Sequence, residues 1–462
     1  MYRKLVGDRA FYKRVMAVAL PIIIQNLITN FVSLLDNIMV GQLSTAQISA
    51  VTISNNNLLF IFNLCLFGAA AGAGIFTTQF YGSGNHEGVR HTFRFKMLIC
   101  LGLTVVGAAV FFFAGDPLIG LYLQGDGDPQ LAADTLFYGR QYLRIMLLGT
   151  LPFALTNAYA STLRECGHPT VPMLAGLAAT AINLLLNYVL IFGHFGAPAM
   201  GVAGAAIATV VSRYAELAIV VAWTHLNPEK NPYIKGMYRS FYIPGKLLKS
   251  ITIKGMPLLL NEGLWSLGMA LLNQCYSVCG LDVVPAMSIS TTIYNLASVV
   301  FRSLGSTVGI IMGQMLGAGR SNREVRDTNT KLTALCVASG IVFGALTAAT
   351  AGLFPAIYNT TDSVRHLATW LIVISAVAMP LQAYIFPIYF TIRAGGKTMI
   401  TFFFDCGSVW LLSIPIAFIC SRFTGLHILW IFTLCNATDI IKSVIGYYLI
   451  KRGDWIQNLA TK

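Results

Sequence analysis

The sequence predicts an all-α integral membrane protein of twelve transmembrane helices in two pseudo-symmetric six-helix lobes. Composition, the segregation of basic residues and an internal repeat carry that prediction. The 462 residues are 56% hydrophobic and 11% charged, with a mean hydropathy of +0.68. A soluble domain carries about 25% charged residues, so a water-soluble globule of this length is excluded. At roughly 20 apolar residues per span, the composition accommodates about twelve crossings. The 42 glycines suit lipid-embedded helices whose backbones approach closely.

The elements follow in order. The first apolar window, 15–40, comes after a basic stretch. It is too long for a signal-peptide core and lacks a small-residue cleavage site, so a retained first helix is expected. Windows 48–77, 95–115, 135–159, 170–194 and 199–225 complete one half. After a lysine-bearing stretch at 226–249 come 250–279, 283–313, 330–354, 365–391, 399–421 and 426–450. Alternate connections, beginning with the N-terminal tail and ending with the C-terminal one and counting Lys96, Lys254 and Lys331 at the window edges, hold five, three, one, six, four, two and three Lys or Arg, 24 altogether. The intervening connections hold only Arg365 and Arg422, and Arg140, Arg144, Arg213, Arg302 and Lys442 fall within windows or at their ends. By the positive-inside rule both termini are cytoplasmic, the span number is even and the membrane is the inner or plasma membrane. The acidic stretch Asp116 to Asp128, free of Lys and Arg, then lies outside.

The repeat divides the chain. Gln79-Phe-Tyr-Gly82-Ser-Gly84 returns 235 residues later as Gln314-Met-Leu-Gly317-Ala-Gly319. Pro21 returns as Pro257 and Val89-Arg90 as Val325-Arg326, both 236 residues on, and Leu163-Arg164 as Ile392-Arg393, 229 on. The boundaries are an N-terminal lobe 1–225 (helices 1–6), a cytoplasmic linker 226–249 and a C-terminal lobe 250–462 (helices 7–12). Six is even, so both halves enter from the same side and relate by an axis along the membrane normal, as in transporters built from parallel repeats. The loop glycines read as tight helix–loop turns.

Other functions find no support. The net charge of +13 sits in short loops without a nucleic-acid motif, and no G-x-x-x-x-G-K-[ST] appears. The seven histidines form no HExxH and lie mostly in loops, so an enzyme is not expected. The nine cysteines form no CxxC and sit mostly in apolar stretches, as packing residues do. No cofactor is expected, and a complete pseudo-dimer in one chain makes a monomer sufficient.

Taken in order, several segments resemble the multidrug and toxic compound extrusion (MATE) family. These are Leu20-Pro21, Asp36-Asn-Ile-Met-Val-Gly41, the two Gln-x-x-Gly-x-Gly loops and Arg164-x-x-Gly167-x-Pro169. Gly204-Ala-Ala-Ile-Ala-Thr209 and Asp439-Ile-Ile-Lys442 with Gly446 complete the set. The resemblance implies two lobes in a V around a central cavity. It also implies antiport, in which inward Na⁺ or H⁺ drives export of amphipathic organic cations.

Charge within the membrane is costly and marks function by default. Five acids fall in windows: Asp36, Glu216, Glu262, Asp405 and Asp439. Arg213 with Glu216 and Asp439 with Lys442 stand at i,i+3 and read as local structural pairs. Asp405 lies near the cytoplasmic end of its span, either at the interface or functional. Asp36 and Glu262 have no base at i±3 or i±4. Asp36 lies about one turn from the outer end of span 1. Asn183 and Asn187, four apart on one face of span 5, and Thr209, ~15 Å into span 6, share that lobe. One carboxylate, two amides and a hydroxyl suit a hard cation, Na⁺ at Asp36 if coupling is to Na⁺. Alternatively Asp36 carries a proton, or the asparagines merely join helices. The family's cation site lies on these helices, and Asp36, Asn183 and Thr209 fit it. Asn187 departs, since several members have an acid there.

Glu262, ~18 Å into span 7, resembles an acid some members carry there and is a candidate counter-charge for substrate. The acid those members use in span 10 is absent from 370–390. Gln25, Asn26, Asn30, Asn37, Asn261, Asn273 and Gln274 are further lining candidates. The expected partners are a small organic cation and membrane lipids. The alternative function is a flippase for a lipid-linked precursor, which needs unpaired bases in the central spans, and here only Arg302 stands alone. Trp455, past the last span, reads as an interfacial anchor.

Overall fold

A computed structural model describes residues 5–123, 129–358 and 360–461, apart from the side chains of residues 34, 37 and 56. Asp126 and Asp128 of the acidic loop, the basic residues Arg3, Lys4 and Lys462, and the Asn37 side chain lie outside the described residues. Among the described residues every regular element is helical.

Twelve long helical runs carry the fold. They are α1 (Arg9–Val40), α2 (Thr45–Gly82), α3 (His86–Gly120), α4 (Pro129–Glu165), α5 (Thr170–Phe192), α6 (Val202–Leu226), α7 (Gly245–Ser277), α8 (Val283–Gly317), α9 (Asn322–Ala349), α10 (Asp362–Ala394), α11 (Thr398–Phe423) and α12 (Ile428–Arg452). Ten are long and apolar enough to cross a membrane by length and composition alone. The other two are α4, which carries Arg140 and Arg144, and α7, which carries three lysines and Glu262. Neither is short, and both carry polar and charged residues within the run. The architecture is therefore the expected all-α, twelve-helix, two-lobe one.

The helices outrun their apolar windows at the basic ends. α3 begins at His86 and α9 at Asn322, where the Ser321 hydroxyl accepts a hydrogen bond from the Glu324 amide. Arg90, Arg94, Lys96, Arg323, Arg326 and Lys331 thus ride on helical turns rather than in loops. Pro21 and Pro257 lie inside α1 and α7 at equivalent places. α2 widens to i→i+5 turns over Thr52–Leu59, and α11 does so over Phe403–Gly407 and Val409–Ser413. Such turns are rare and frequent at functional sites.

By internal contacts the chain divides into two compact units. One comprises Ile24–Thr77 and His86–Gly255, the other Met1–Ile23, Thr78–Asn85 and Met256–Lys462. In the second unit, Val15, Ala19 and Ile23 of α1 join a buried cluster with Leu304, Val308 and Met312 of α8. The repeated loops meet there too. A Cβ on Gly82 would strike the Gln314 carbonyl, and one on Gly317 would strike the Gln79 carbonyl. Gly84 and Gly319, two residues on, take positive φ of 74° and 64°. Each glycine pair thus serves one close approach and one left-handed turn.

The linker 226–249 is docked, not loose. Arg94 donates to the carbonyls of Met237, Tyr242 and Gly236 at 3.0–3.1 Å, and Arg90 to that of Tyr233 at 3.2 Å. In the other half Arg326, the repeat mate of Arg90, donates to the Lys451 carbonyl at 2.9 Å. The chain beyond α12 is pinned by Gln79, whose Nε2 donates to the Ala394 and Gln457 carbonyls while its Oε1 accepts from the Leu459 amide. Trp455 is consequently no interfacial anchor. It is 2% exposed, packs in the cluster of Val308 and Val325, and donates to the Ile450 carbonyl.

Candidate functional site

In the first unit, α1, α5 and α6 bring together all four residues expected at the cation site. Asn187 Nδ2 donates to Asp36 Oδ1 at 2.5 Å and to Asn183 Oδ1 at 3.2 Å. Asn183 Nδ2 donates to Thr209 Oγ1 at 3.3 Å, and that hydroxyl donates to the Ala205 carbonyl at 3.0 Å. The four-residue spacing of the asparagines on α5 places both amides on the face that meets α1 and α6. Asn187 is fully buried, and its Oδ1 has no hydrogen-bond partner among the described residues.

That orphan acceptor is informative, because a buried carbonyl left unmatched costs about 1–3 kcal/mol. A carboxylate and an amide oxygen are both ligand types for a hard cation, and here the amide nitrogen faces Asp36 while its oxygen is free among the described residues. No group of three or more His, Cys, Asp or Glu able to hold a metal occurs among the described residues. With one carboxylate, the set suits a monovalent ion. Tyr142 of α4 is buried, 3% exposed, within electrostatic range of Asp36 and Arg213. Sequence reasoning missed it, since a lone aromatic in an apolar window carries no signal of what it faces.

The local pairs on α6 and α12 do not form as expected. Arg213 donates to the Gly149 carbonyl at 3.3 Å with its guanidinium 4.7 Å from the Phe153 ring centre, and makes no ion pair with Glu216 among the described residues. Lys442 Nζ donates to Asp405 Oδ1 on α11 at 2.8 Å, while Asp439 Oδ2 accepts from Gln382 Nε2 of α10 at 3.2 Å. Gln382 Oε1 in turn accepts from the Tyr294 hydroxyl. In both cases a neighbouring helix offers a better-placed acceptor than the next turn of the same helix. A second unforeseen pair is Lys96 with Glu165 at 2.5 Å, where the lysine side chain is fully buried and also donates to Ser161 and Thr162.

Of the substrate candidates, Glu262 is half-buried in the field of Arg393, Arg302 and Asp405. Asn261 is 1% exposed and donates to Asp405 Oδ2 at 3.1 Å. Gln25 Nε2 donates to the Pro172 carbonyl at 3.4 Å, in the first unit. Asn26, Asn273 and Gln274 are exposed, and Asn30 is intermediate. The structure therefore gathers the cation candidates but not the substrate candidates. Arg302, the base without a local acid, lies 5.5 Å from the Phe386 ring centre.

Comparison with known proteins identifies the family. The MatE family profile matches residues 21–189 and again 257–419, the two matches starting on the repeated prolines. The chain is 22% identical over 453 residues to "Probable multidrug resistance protein NorM" of Thermotoga maritima, covering 96% of this chain and 93% of that one. It is 24% identical over 417 residues to "Multidrug resistance protein PmpM" of Pseudomonas aeruginosa, covering 89% and 84%. Among solved structures, an outward-facing multidrug resistance MATE family transporter of the MOP superfamily superposes with a TM-score of 0.85 at 19% identity over 98% of both chains. A MATE protein in its bent conformation gives 0.85 at 18% identity, covering 100% and 99%. Matched in both halves, the chain belongs to the MatE family of multi-pass membrane transporters, which are not enzymes.

Proposed function

We propose that the protein is a cation-coupled secondary antiporter that exports amphipathic organic cations, with Na⁺ or H⁺ as the coupling ion. The observation that carries this reading is the Asp36–Asn187–Asn183–Thr209 chain with its unmatched amide oxygen. A cation at Asp36 uses that oxygen as a second ligand. A proton instead neutralises the carboxylate, and Asp36 then donates a hydrogen bond. Either ion favours one of two conformations and substrate the other, and each shifts the equilibrium only by its differential affinity. Glu262 serves as counter-charge to the substrate cation. Curated relatives named for multidrug resistance support export of drug-like molecules. Both termini are cytoplasmic, in the inner or plasma membrane, and the protein works as a monomer.

The test is reconstitution in liposomes with a fluorescent lipophilic cation, applying Na⁺ and H⁺ gradients separately to wild type and Asp36→Asn. Gradient-driven movement in wild type, lost in Asp36→Asn, is the expected result and names the ion. Equal movement in the two proteins would remove Asp36 from the mechanism. No movement in wild type under either gradient would turn attention to lipid-linked substrates.

A further inference from the structure

The second unit contains a nest of the same chemistry as the Asp36 site, built on the equivalent pair of helices with the roles exchanged. In the first half α1 gives the carboxylate, Asp36, and α5 the amide, Asn187. In the second half α7 gives the amide, Asn261, and α11 the carboxylate, Asp405. Asn261 Nδ2 donates to Asp405 Oδ2 at 3.1 Å, as Asn187 Nδ2 donates to Asp36. Asn261 is 1% exposed, and its Oδ1, like that of Asn187, has no hydrogen-bond partner among the described residues. Asp405 stands on one of the widened turns of α11, Phe403–Gly407. The nests differ in depth along their helices and in the Asn183–Thr209 extension of the first, and one further feature separates them. Asp405 Oδ1 accepts from the Lys442 ammonium at 2.8 Å, whose side chain is 10% exposed and whose Nζ lies 5.3 Å from the Phe404 ring centre.

We propose that Asn261 and Asp405 form a monovalent-cation site whose carboxylate the chain occupies itself, Lys442 being the tethered cation on Asp405 while the Asn261 oxygen stays open. An ammonium group has the charge of Na⁺ and a similar demand for oxygen neighbours. Held on α12, it needs no uptake from solution and does not leave. The site thus gives the C-terminal half a permanently occupied counterpart to the exchangeable nest at Asp36. A buried carboxylate stripped of its partner is strongly unfavourable, so removal of the ammonium leaves a vacancy that free Na⁺ fills.

The test uses the full chain purified in detergent, with every compared protein carrying Asp36→Asn, so its outcome does not depend on the role of Asp36. Thermal unfolding is followed by tryptophan fluorescence while NaCl replaces choline chloride at constant ionic strength. Asp36→Asn alone is expected to unfold at the same temperature in both salts. Adding Lys442→Met is expected to lower the midpoint in choline by several degrees, and Na⁺ to restore it along a saturating curve. Adding Asn261→Leu is expected to abolish the restoration. The proposal is overturned if the Lys442→Met protein responds equally to both salts, or if Asp36→Asn alone shows a Na⁺-specific rise. Should Lys442→Met not survive purification in choline, recovery in Na⁺ supports the proposal and recovery in neither salt overturns it.

Discussion

The two halves share a scaffold and place their polar chemistry in different layers of it. Alignment on the repeated prolines sets Asp36 opposite Leu272. The ends of the two profile matches, residues 189 and 419, set Asn183 opposite Ser413 and Asn187 opposite Ala417. Helices α6 and α12, both 25 residues long and starting at 202 and 428, set Thr209 opposite Cys435. Leu272, Ala417 and Cys435 lie in one buried apolar cluster, so a layer that is polar in the first half is packed shut in the second. The charged layer of the second half lies nearer the helix proline, where Asn261 and Glu262 stand opposite Gln25 and Asn26. On the sixth helix of each half the signs are exchanged: Arg213 and Glu216 stand opposite Asp439 and Lys442. Duplication thus keeps helix order, the proline of the first helix and the glycine contacts, while ionisable groups are placed independently in each half.

The largest effect follows from forcing one layer to resemble the other. Leu272→Asp puts a carboxylate among Ala417, Cys435 and Ile431 with no base at hand, and an unpaired buried charge costs about 3 kcal/mol or more. The expected outcome is loss of monodisperse protein in detergent extracts, or a fall of many degrees in the unfolding midpoint. The reverse change, Asp36→Leu, is expected to leave the midpoint within a few degrees of wild type and to abolish coupled transport. If the two changes destabilise equally, the contrast between the layers is wrong.

A second experiment tests what the halves hold in common. Gly82 and Gly317 each face the backbone carbonyl of the other repeat's glutamine, and neither neighbour is the movable end of a side chain. Overpacking of this kind costs about 1–3 kcal/mol. Gly82→Ala and Gly317→Ala are therefore expected to lower the unfolding midpoint by similar amounts, and Gly102→Ala, which meets nothing within 4 Å, to leave it unchanged. A large inequality between the first two would show that the contact is not reciprocal.

These residues also show what was legible in the sequence. Helix number and order followed from apolar windows, because a span needs about 20 mostly apolar residues, and the repeat followed from recurring prolines and glycine loops. Asp36, Asn183, Asn187 and Thr209 could be grouped because helix direction and a 1.5 Å rise give each a depth. The partner of Lys442 could not be read. Spacing on one helix suggests Asp439, whereas side-chain direction and the approach of α11 select Asp405. Trp455 misled for the same reason, since composition beyond a span cannot say whether the chain folds back. Substrate contacts were the least legible, because many polar residues face inward in such helices and only packing separates buried from accessible ones.

The smallest expected effect probes the far end of the first-half chain. Thr209 accepts from Asn183, which in turn holds Asn187 against Asp36. Thr209→Val keeps the shape and removes the acceptor. Losing one such bond is worth about 1 kcal/mol, or roughly a fivefold change in an equilibrium constant. The half-saturating concentration of the coupling ion is therefore expected to rise severalfold while the maximal transport rate stays near wild type, measured in the liposome assay. Cys435→Val, the matching change in the second half, sits in the apolar cluster and is expected to leave ion dependence untouched. A loss of maximal rate in Thr209→Val with unchanged ion dependence would mean that the hydroxyl serves the conformational step and not the site. If both variants shift ion dependence alike, the polar layer does not belong to the first half alone, and the comparison between the halves fails at its weakest link.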